Sequence, residues 1–284
     1  MHRKFKLPLD NLRLAEPEAL ADFWRIVRRA ADVTGIELSE ANSPIRTRAR
    51  SVIFYDTDRF DLYRNNFVLR KRISFRCDHS VHEALVFKFR HPDRRTAESV
   101  DPRPVKDIPH TVTFKEQLLP SLHDNPGIRR LFWHGCKIVE PGELDNIPYA
   151  RLEGMFPAVR QHRGITPDPD GRLKAVNNLI IAERRLELGT LNFADRISPK
   201  ALISVWRVAP GQQVLAAEVS FQIDYDPGQP SAGLITSLSE GFYLALQALL
   251  SGLTSASSTK VHELYRLPSA DEASRAMSDS MMLV

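Results

Sequence analysis

This sequence has few cysteines and no histidine pattern typical of metal binding, which argues against disulfide-rich and zinc-binding proteins. Cys77 and Cys136 are the two cysteines in 284 residues, too few for a disulfide framework or a cysteine-based metal cluster. The nine histidines show no His-x-x-x-His spacing, so a zinc site of that kind is not indicated. Because proteins without disulfides are typical of reducing compartments, we predict a cytoplasmic location.

Long apolar runs and glycine-rich loops are absent as well. No stretch of about 18 apolar residues occurs, so the sequence predicts no membrane-spanning helix. Residues Met1–Leu7 are basic but are not followed by the apolar core of a secretory signal. No glycine-rich phosphate loop is found, so a P-loop nucleotide-binding protein is not indicated.

The basic residues that are present concentrate in one segment, Arg46–Arg76. It holds nine Lys and Arg against three Asp, a net charge of +6, whereas the whole chain carries +4. Two predicted strands, Arg48–Tyr55 and Phe67–Phe75, flank a turn. Successive side chains of a strand point to opposite faces, so Arg70 and Arg72 share one face and mostly apolar side chains occupy the other. A cationic face on such a strand indicates an anion-binding site.

The strand predicted over Ala84–Arg90 repeats this pattern. Its Lys88 and Arg90 share a face, and large apolar side chains lie on the opposite one. A further strand, predicted over Thr111–Leu118, adds Lys115 as a cationic candidate. Several cationic strand faces in one chain would allow many positive charges to converge on one anion.

The remaining elements mix strands and helices. Further strands are predicted over Arg3–Leu7, Val159–Gly164, Asn178–Phe193, Ala201–Val208 and Val214–Tyr225. Helices are predicted from Pro17 to near Gly35 and over Ile128–Phe132, Leu144–Phe156 and Leu234–Gly252. No repeat or linker divides the chain. We therefore predict a single domain over 1–267, with an insertion around 91–110 and a flexible tail over 268–284.

In this order, the motifs resemble those of the CYTH family, the triphosphate tunnel metalloenzymes. The most specific match is the hairpin that contains Tyr55-Asp56-Thr57, then Leu62-Tyr63, then Leu69-Arg70-Lys71-Arg72. The other matching motifs are Arg3–Leu7, Phe87–Arg90, Ala182–Arg185, Glu218 and Ser257–Lys260.

The resemblance implies an α+β fold in which a closed, antiparallel, eight-stranded β-barrel forms a tunnel and helices pack outside it. Basic side chains inside such a tunnel would bind a triphosphate-containing compound, a nucleotide or polyphosphate. The predicted phosphate ligands are Lys4, Arg70, Arg72, Lys88, Arg90, Lys115, Arg185 and Lys260. Hydrolysis, if present, would make the protein a divalent-metal-dependent phosphohydrolase.

The resemblance also implies carboxylates that hold Mg²⁺ or Mn²⁺. The candidate metal ligands are Glu218, Glu116 and Glu187. However, the family's opening strand reads Glu-x-Glu-x-Lys, and placing its lysine on Lys4 puts His2 at the second Glu. Ser220 stands where the late strand would carry its second Glu. We therefore expect a degenerate metal site, anion binding without metal, and slow or absent turnover.

Two alternatives remain open at the level of sequence. The basic surface of Arg46–Arg76 could bind nucleic acid through phosphate contacts, or the protein could be a scaffold that has lost the chemistry. Cations that converge inside a closed barrel would favour the first interpretation, and cations spread over an exposed convex face would favour nucleic-acid binding.

Overall fold

A computed structural model of the chain describes residues 1–9, 17–40, 47–75, 80–105, 108–139, 142, 144–162, 164, 168, 170–194, 197–209, 213–254 and 259–267. The strands in these ranges are β1 (His2–Leu9), β2 (Glu37–Glu40), β3 (Thr47–Asp56), β4 (Phe67–Phe75), β5 (Val81–His91), β6 (His110–Pro120), β7 (Ile128–Val139), β8 (Lys174–Ala175), β9 (Ile180–Asn192), β10 (Lys200–Ala209) and β11 (Gln213–Asp224). The α-helices are α1 (Pro17–Thr34), α2 (Asp61–Arg64), α3 (Arg94–Ser99), α4 (Tyr149–Met155), α5 (Pro157–Gln161), α6 (Ala232–Leu249) and α7 (Lys260–Arg266). The predicted tail over 268–284, Cys77 and the first two residues of the Ser257–Lys260 motif lie outside these ranges.

Nine of the described strands close into a barrel. Their order is β9-β10-β11-β1-β6-β7-β5-β4-β3, and β3 pairs back onto β9, with Arg50 opposite Glu183. The short strands β2 and β8 pair with the ends of β9 and β3. The α+β barrel predicted from the sequence is therefore present.

Two details of the predicted barrel were wrong, because it has nine strands rather than eight and is not fully antiparallel. The segment predicted as a short helix over Ile128–Phe132 belongs to β7, which pairs with both β5 and β6. Strand directions cannot alternate all the way round a closed ring with an odd number of strands. Accordingly, β1 and β6 pair in parallel, with Arg3 opposite Glu116.

Other differences from the predicted elements are local. The first three residues of the strand predicted over Val159–Gly164 belong to the helix α5, in which Pro157 occupies the first turn, where proline is well tolerated. The segment 91–110, predicted as an insertion, contains α3, which Asp93 caps by accepting a hydrogen bond from the Thr96 backbone N–H. The helix α7 was not predicted.

The apolar core lies mainly outside the barrel wall, beneath the helices. On one side, Phe5 and Phe221 stack at 4.4 Å between ring centroids and pack against residues of α1 and α6 such as Phe23 and Phe242. On another side, buried residues of β4 and β5 pack against α4, α5 and the Phe156 ring. In the ranges described above, no helix combines the length and apolar character needed to cross a membrane.

One end of the barrel interior is filled by α7. Its Val261, Leu264 and Tyr265 are buried against inward-facing side chains that include Phe54 and Trp206. The apolar residues of α7 therefore fill this end of the barrel. Lys260, the first residue of α7, lies at the boundary with the polar part of the interior.

Candidate anion-binding site

A cavity of about 330 Å³ lies inside the barrel, and we call it the central cavity. All eight cationic residues selected from the sequence line it: Lys4, Arg70, Arg72, Lys88, Arg90, Lys115, Arg185 and Lys260. Sequence reasoning missed three further cations on its wall, Lys6, Arg50 and Lys137. Lys6 could have been found, because it lies two residues after Lys4 and therefore shares its strand face.

Strand alternation and register bring these side chains together. Arg70 and Arg72 on β4 lie opposite Val86 and Ala84 on β5, so small or medium side chains neighbour the guanidinium groups. The residue opposite Lys88 on β7 is Gly135, where an added Cβ would lie about 3.0 Å from Lys88 Cγ. A glycine at this position therefore leaves room for the lysine stem inside the barrel.

Trp133 on β7 provides an aromatic wall for two of these cations. The Lys88 Nζ lies 3.8 Å from the centroid of the Trp133 ring, and the Lys115 Nζ lies 5.8 Å from it. Such cation–π contacts stabilise an ammonium group without neutralising its charge. Lys88 therefore stays available to an anion in the central cavity.

Three guanidinium groups in the central cavity each have an Nε–H donor with no acceptor among the described residues. The Nε atoms of Arg70, Arg72 and Arg90 are buried, and no described residue accepts a hydrogen bond from them. Arg70 is 9% exposed. Buried polar groups in proteins are almost always hydrogen-bonded, and an unpaired charged donor is costly. Three such donors around one cavity are an arrangement whose missing acceptors an anion could supply.

Burial and mutual repulsion shift the pKa values of these cations. Burial, reinforced by Arg70 and Arg90, holds the pKa of Lys88 well below its usual value. Burial, with Arg72 and Arg50, does the same for the pKa of Arg70. Burial also lowers the pKa of Lys6 to about 8. A bound polyanion would reverse these shifts, because an opposite charge nearby favours the protonated form.

Two buried carboxylates, Glu183 and Glu218, also line the central cavity. Glu183 accepts hydrogen bonds from Arg50, from the Ser204 hydroxyl at 2.8 Å and from the Trp206 indole N–H at 3.0 Å. Sequence reasoning selected Glu218 but missed Glu183, although alternation places Glu183 on the same face as Arg185.

Both carboxylates are ionised because cations surround them. Burial alone would raise the pKa of Glu218, but Lys260, Lys6 and Lys4 outweigh it and lower that pKa to about 2. Burial also opposes ionisation of Glu183, and Lys260 and Arg50 hold its pKa well below the usual value.

The arrangement does not fit a divalent metal as it stands. The Lys260 Nζ donates to the Ser204 Oγ at 2.9 Å and lies 3.5 Å from Glu218 Oε1 and 3.8 Å from Glu183 Oε1. Within the described residues, no group of three or more His, Cys, Asp or Glu side chains converges as metal ligands would. The two carboxylates of the central cavity are thus already engaged by protein cations.

The other two predicted metal ligands lie elsewhere. Glu116 accepts a hydrogen bond from Arg3 Nε at 2.7 Å, in a buried ion-pair cluster that Glu240 of α6 completes. Glu187 pairs with Lys200 at 2.6 Å. Neither carboxylate lines the central cavity. Glu116 follows Lys115, which does line it, so strand alternation points Glu116 to the outer face of the barrel. We therefore do not retain them as metal ligands.

His2 is also remote from the carboxylates. It pairs with Asp224 at 2.5 Å at the exposed end of β1, whereas Glu218 lies opposite Pro8 in the β1–β11 register. The position at which the family resemblance would place a glutamate is therefore separated from Glu218 by most of the length of β1.

Comparisons with known proteins give distant structural likenesses. No protein-family model and no curated protein matches the chain. The PH1819 protein from Pyrococcus horikoshii OT3 matches with a TM-score of 0.39 and 11% identity over 93% of this chain and 98% of that chain. HpAC1 from Hippeastrum, for which a dominant triphosphatase activity is described, matches with a TM-score of 0.38 and 12% identity over 93% and 94% of the two chains.

A third structure, the bh2851 protein from Bacillus halodurans, matches with a TM-score of 0.34 and 12% identity over 85% of this chain and 89% of that chain. At these TM-scores the likeness carries no argument about family, and the resemblance to the CYTH family rests on the order of the sequence motifs. Likeness at this distance assigns no activity, so the functional conclusion depends on the side chains of the central cavity.

Proposed function

We propose that this protein binds a triphosphate-containing compound or polyphosphate inside its barrel. The observation that carries the proposal is the set of buried, acceptor-free guanidinium Nε atoms of Arg70, Arg72 and Arg90 in the central cavity. A chain of phosphates is the common biological anion with enough charge and acceptor oxygens to satisfy many cations at once. Arginine suits it because its planar fork can donate two hydrogen bonds to one phosphate.

The individual cations would have different roles. Arg70 and Arg72 project from the same face of β4 and would hold one phosphoryl group from one side. Lys88, held against Trp133, would contact it as a point charge from β5. Lys4, Lys6 and Arg185 extend the cationic wall along the cavity, which suits a chain of phosphates better than a single phosphate.

Turnover is expected to be slow or absent. A divalent metal would neutralise the transferring phosphoryl group and orient water. However, Glu183 and Glu218 are engaged by Arg50, Lys6 and Lys260 in this arrangement. We therefore assign no hydrolytic step to these carboxylates and propose phosphate binding as the basic function, with any Mg²⁺- or Mn²⁺-dependent hydrolysis secondary to it.

Nucleic-acid binding is the second candidate and is less well supported. Arg70 and Arg72 of β4 and Lys88 and Arg90 of β5 face the interior of a closed barrel, one end of which α7 fills. The backbone of a nucleic acid needs cations on an accessible surface or groove. The third hypothesis is a scaffold that has lost the chemistry. If it is correct, no anion should bind in the central cavity.

Titration calorimetry with inorganic triphosphate in EDTA tests the proposal. We expect binding by the wild type and a loss of about ten- to a hundredfold in affinity for Arg70→Ala or Arg72→Ala, since a hydrogen bond to a charged group contributes roughly 1.5–3 kcal/mol. The matched control is Arg184→Ala, which removes an exposed cation from β9 next to Arg185. The proposal is wrong if the wild type does not bind triphosphate, or if all three variants bind it equally well.

A phosphate-release screen with Mg²⁺ and Mn²⁺ accompanies the titration. Rapid hydrolysis that a chelator abolishes would show that the metal-binding side chains have been misidentified. Tight binding of single-stranded DNA that Arg70→Ala leaves unchanged would favour the nucleic-acid alternative.

A further inference from the structure

The first residue of α7 places a positive charge between the two carboxylates of the central cavity. Lys260 is 8% exposed, and its Nζ lies 3.5 Å from Glu218 Oε1 and 3.8 Å from Glu183 Oε1. It also donates to the Ser204 hydroxyl, which in turn donates to Glu183. One ammonium group therefore lies at the point where a hydroxyl and two carboxylates converge.

Oxygen donors of this type are what a divalent cation prefers. Mg²⁺ in proteins is commonly held by one or two carboxylates together with water and phosphate oxygens. With Lys260 removed, Glu183 Oε1, Glu218 Oε1 and Ser204 Oγ would offer such a set, while Arg50 and Lys6 hold the other two carboxylate oxygens. Without a cation, two buried carboxylates in one site would repel each other and would be costly to ionise.

The ammonium is held firmly in this position. Thr259 caps α7 by accepting a hydrogen bond from the His262 backbone N–H, and the Lys260 Nζ lies 4.9 Å from the centroid of the Trp206 ring. Tyr265, one turn further along α7, donates to the buried Asp56 carboxylate at 3.1 Å. These contacts of Thr259 and Tyr265 fix the backbone of α7, and a change of the Lys260 rotamer would lose the Ser204 hydrogen bond, both carboxylates and the Trp206 ring.

We infer that Lys260 is a tethered counter-ion that takes the place of a divalent cation in this barrel. The carboxylate pair becomes a metal site only when the positive charge of Lys260 is removed. In the wild type, the phosphate-binding cations act without metal. The identity of the anion rests on the proposed function. Metal binding by Glu183 and Glu218 can be measured with no phosphate present.

The test is a titration with Mn²⁺ in phosphate-free buffer, followed by the electron paramagnetic resonance signal of free Mn²⁺. We expect the wild type to bind no stoichiometric Mn²⁺ at sub-millimolar concentrations, and Lys260→Met to bind one Mn²⁺ per chain at least tenfold more tightly. Adding Glu218→Gln to Lys260→Met should remove that binding. Lys200→Met, which removes an exposed lysine paired with Glu187, should behave as the wild type.

Two results would overturn the inference. One is a wild type that binds one Mn²⁺ per chain as tightly as Lys260→Met does. The other is a folded Lys260→Met variant, checked by circular dichroism, that gains no Mn²⁺ affinity.

A second measurement covers the case in which Lys260→Met does not fold. Glu218→Gln in the otherwise wild-type protein should raise the affinity for triphosphate in EDTA, because it removes a negative charge that faces the anion. A fall in affinity would contradict the counter-ion role. Failure of the wild type to bind triphosphate would instead contradict the proposed function and would leave the Mn²⁺ result standing.

Discussion

At the scale of single residues, the central cavity concentrates cations that are unfavourable in the absence of a ligand. Burial lowers the pKa of Lys4 and Lys88 well below the usual value and the pKa of Lys6 to about 8, and neighbouring cations add to each shift. Natural proteins accept such unfavourable groups mainly where function needs them. Under the proposed function, these cations prepare the cavity for a polyanion at some cost in stability.

The affinity for triphosphate should fall at alkaline pH. In the free protein Lys6 has a pKa of about 8, and a bound polyanion raises that pKa, so binding above pH 8 must take up a proton. Affinity should therefore decrease about twofold from pH 7 to 8, because Lys6 is roughly half deprotonated at pH 8, and more steeply as the pH rises further. Calorimetry between pH 7 and 9.5 measures this, and Lys6→Met should reduce the slope. An affinity that stays constant up to pH 9.5 would contradict the shifted pKa.

At the scale of elements, one carboxylate joins β3, α2 and α7. Asp56 accepts hydrogen bonds from the backbone N–H groups of Thr57, Leu62 and Tyr63 at 2.8, 2.8 and 2.9 Å, and from the Tyr265 hydroxyl. The Tyr63 and Tyr265 rings stack at 4.1 Å between centroids. These contacts hold α7, and with it Lys260, in place at the closed end of the barrel.

Replacing Asp56 by Asn should destabilise the fold. The amide NH₂ would face backbone N–H groups that need an acceptor, so we expect a loss of roughly 1–3 kcal/mol in unfolding free energy. Urea denaturation followed by circular dichroism measures the change. Asp58→Asn is the matched control, because Asp58 is exposed and pairs only at the surface, with Lys174. Equal stability of both variants would show that Asp56 does not anchor these elements.

At the scale of the whole molecule, the barrel encloses like charges that a ligand would neutralise. A ligand that binds only the folded state stabilises it by mass action. Triphosphate at 100 times its dissociation constant should therefore raise the unfolding free energy by about 2.7 kcal/mol. Any phosphate compound that binds in the cavity should likewise raise the unfolding free energy.

Thermal denaturation in EDTA measures this stabilisation. The melting temperature should rise with triphosphate and should change little with sodium chloride at the same ionic strength, because the effect requires binding in the cavity rather than screening. Arg70→Ala should reduce the rise. An equal rise with both salts, or in both proteins, would argue against a specific site in the barrel.

The sequence by itself determined which strand faces are cationic. Arg70 and Arg72, and likewise Lys88 and Arg90, share a face because the side-chain period of a strand is two, and this is a local property that any register preserves. The alternation of polar and apolar residues also placed most strands and the helices α1 and α6 correctly. It did not identify β7, where Leu131, Phe132 and Trp133 follow one another without a clear polar period.

Only the tertiary structure decided how these faces meet. The ninth strand, the parallel β1–β6 pair and the convergence of Lys260 on Glu183 and Glu218 join segments that are far apart in the chain. Such pairings depend on closure of the whole barrel, since each charge finds its partner through strand register and helix packing. Glu187 pairs with Lys200 although Arg185, two residues before it, lines the cavity, whereas alternation with Lys115 by itself already pointed Glu116 to the outer face, toward Arg3.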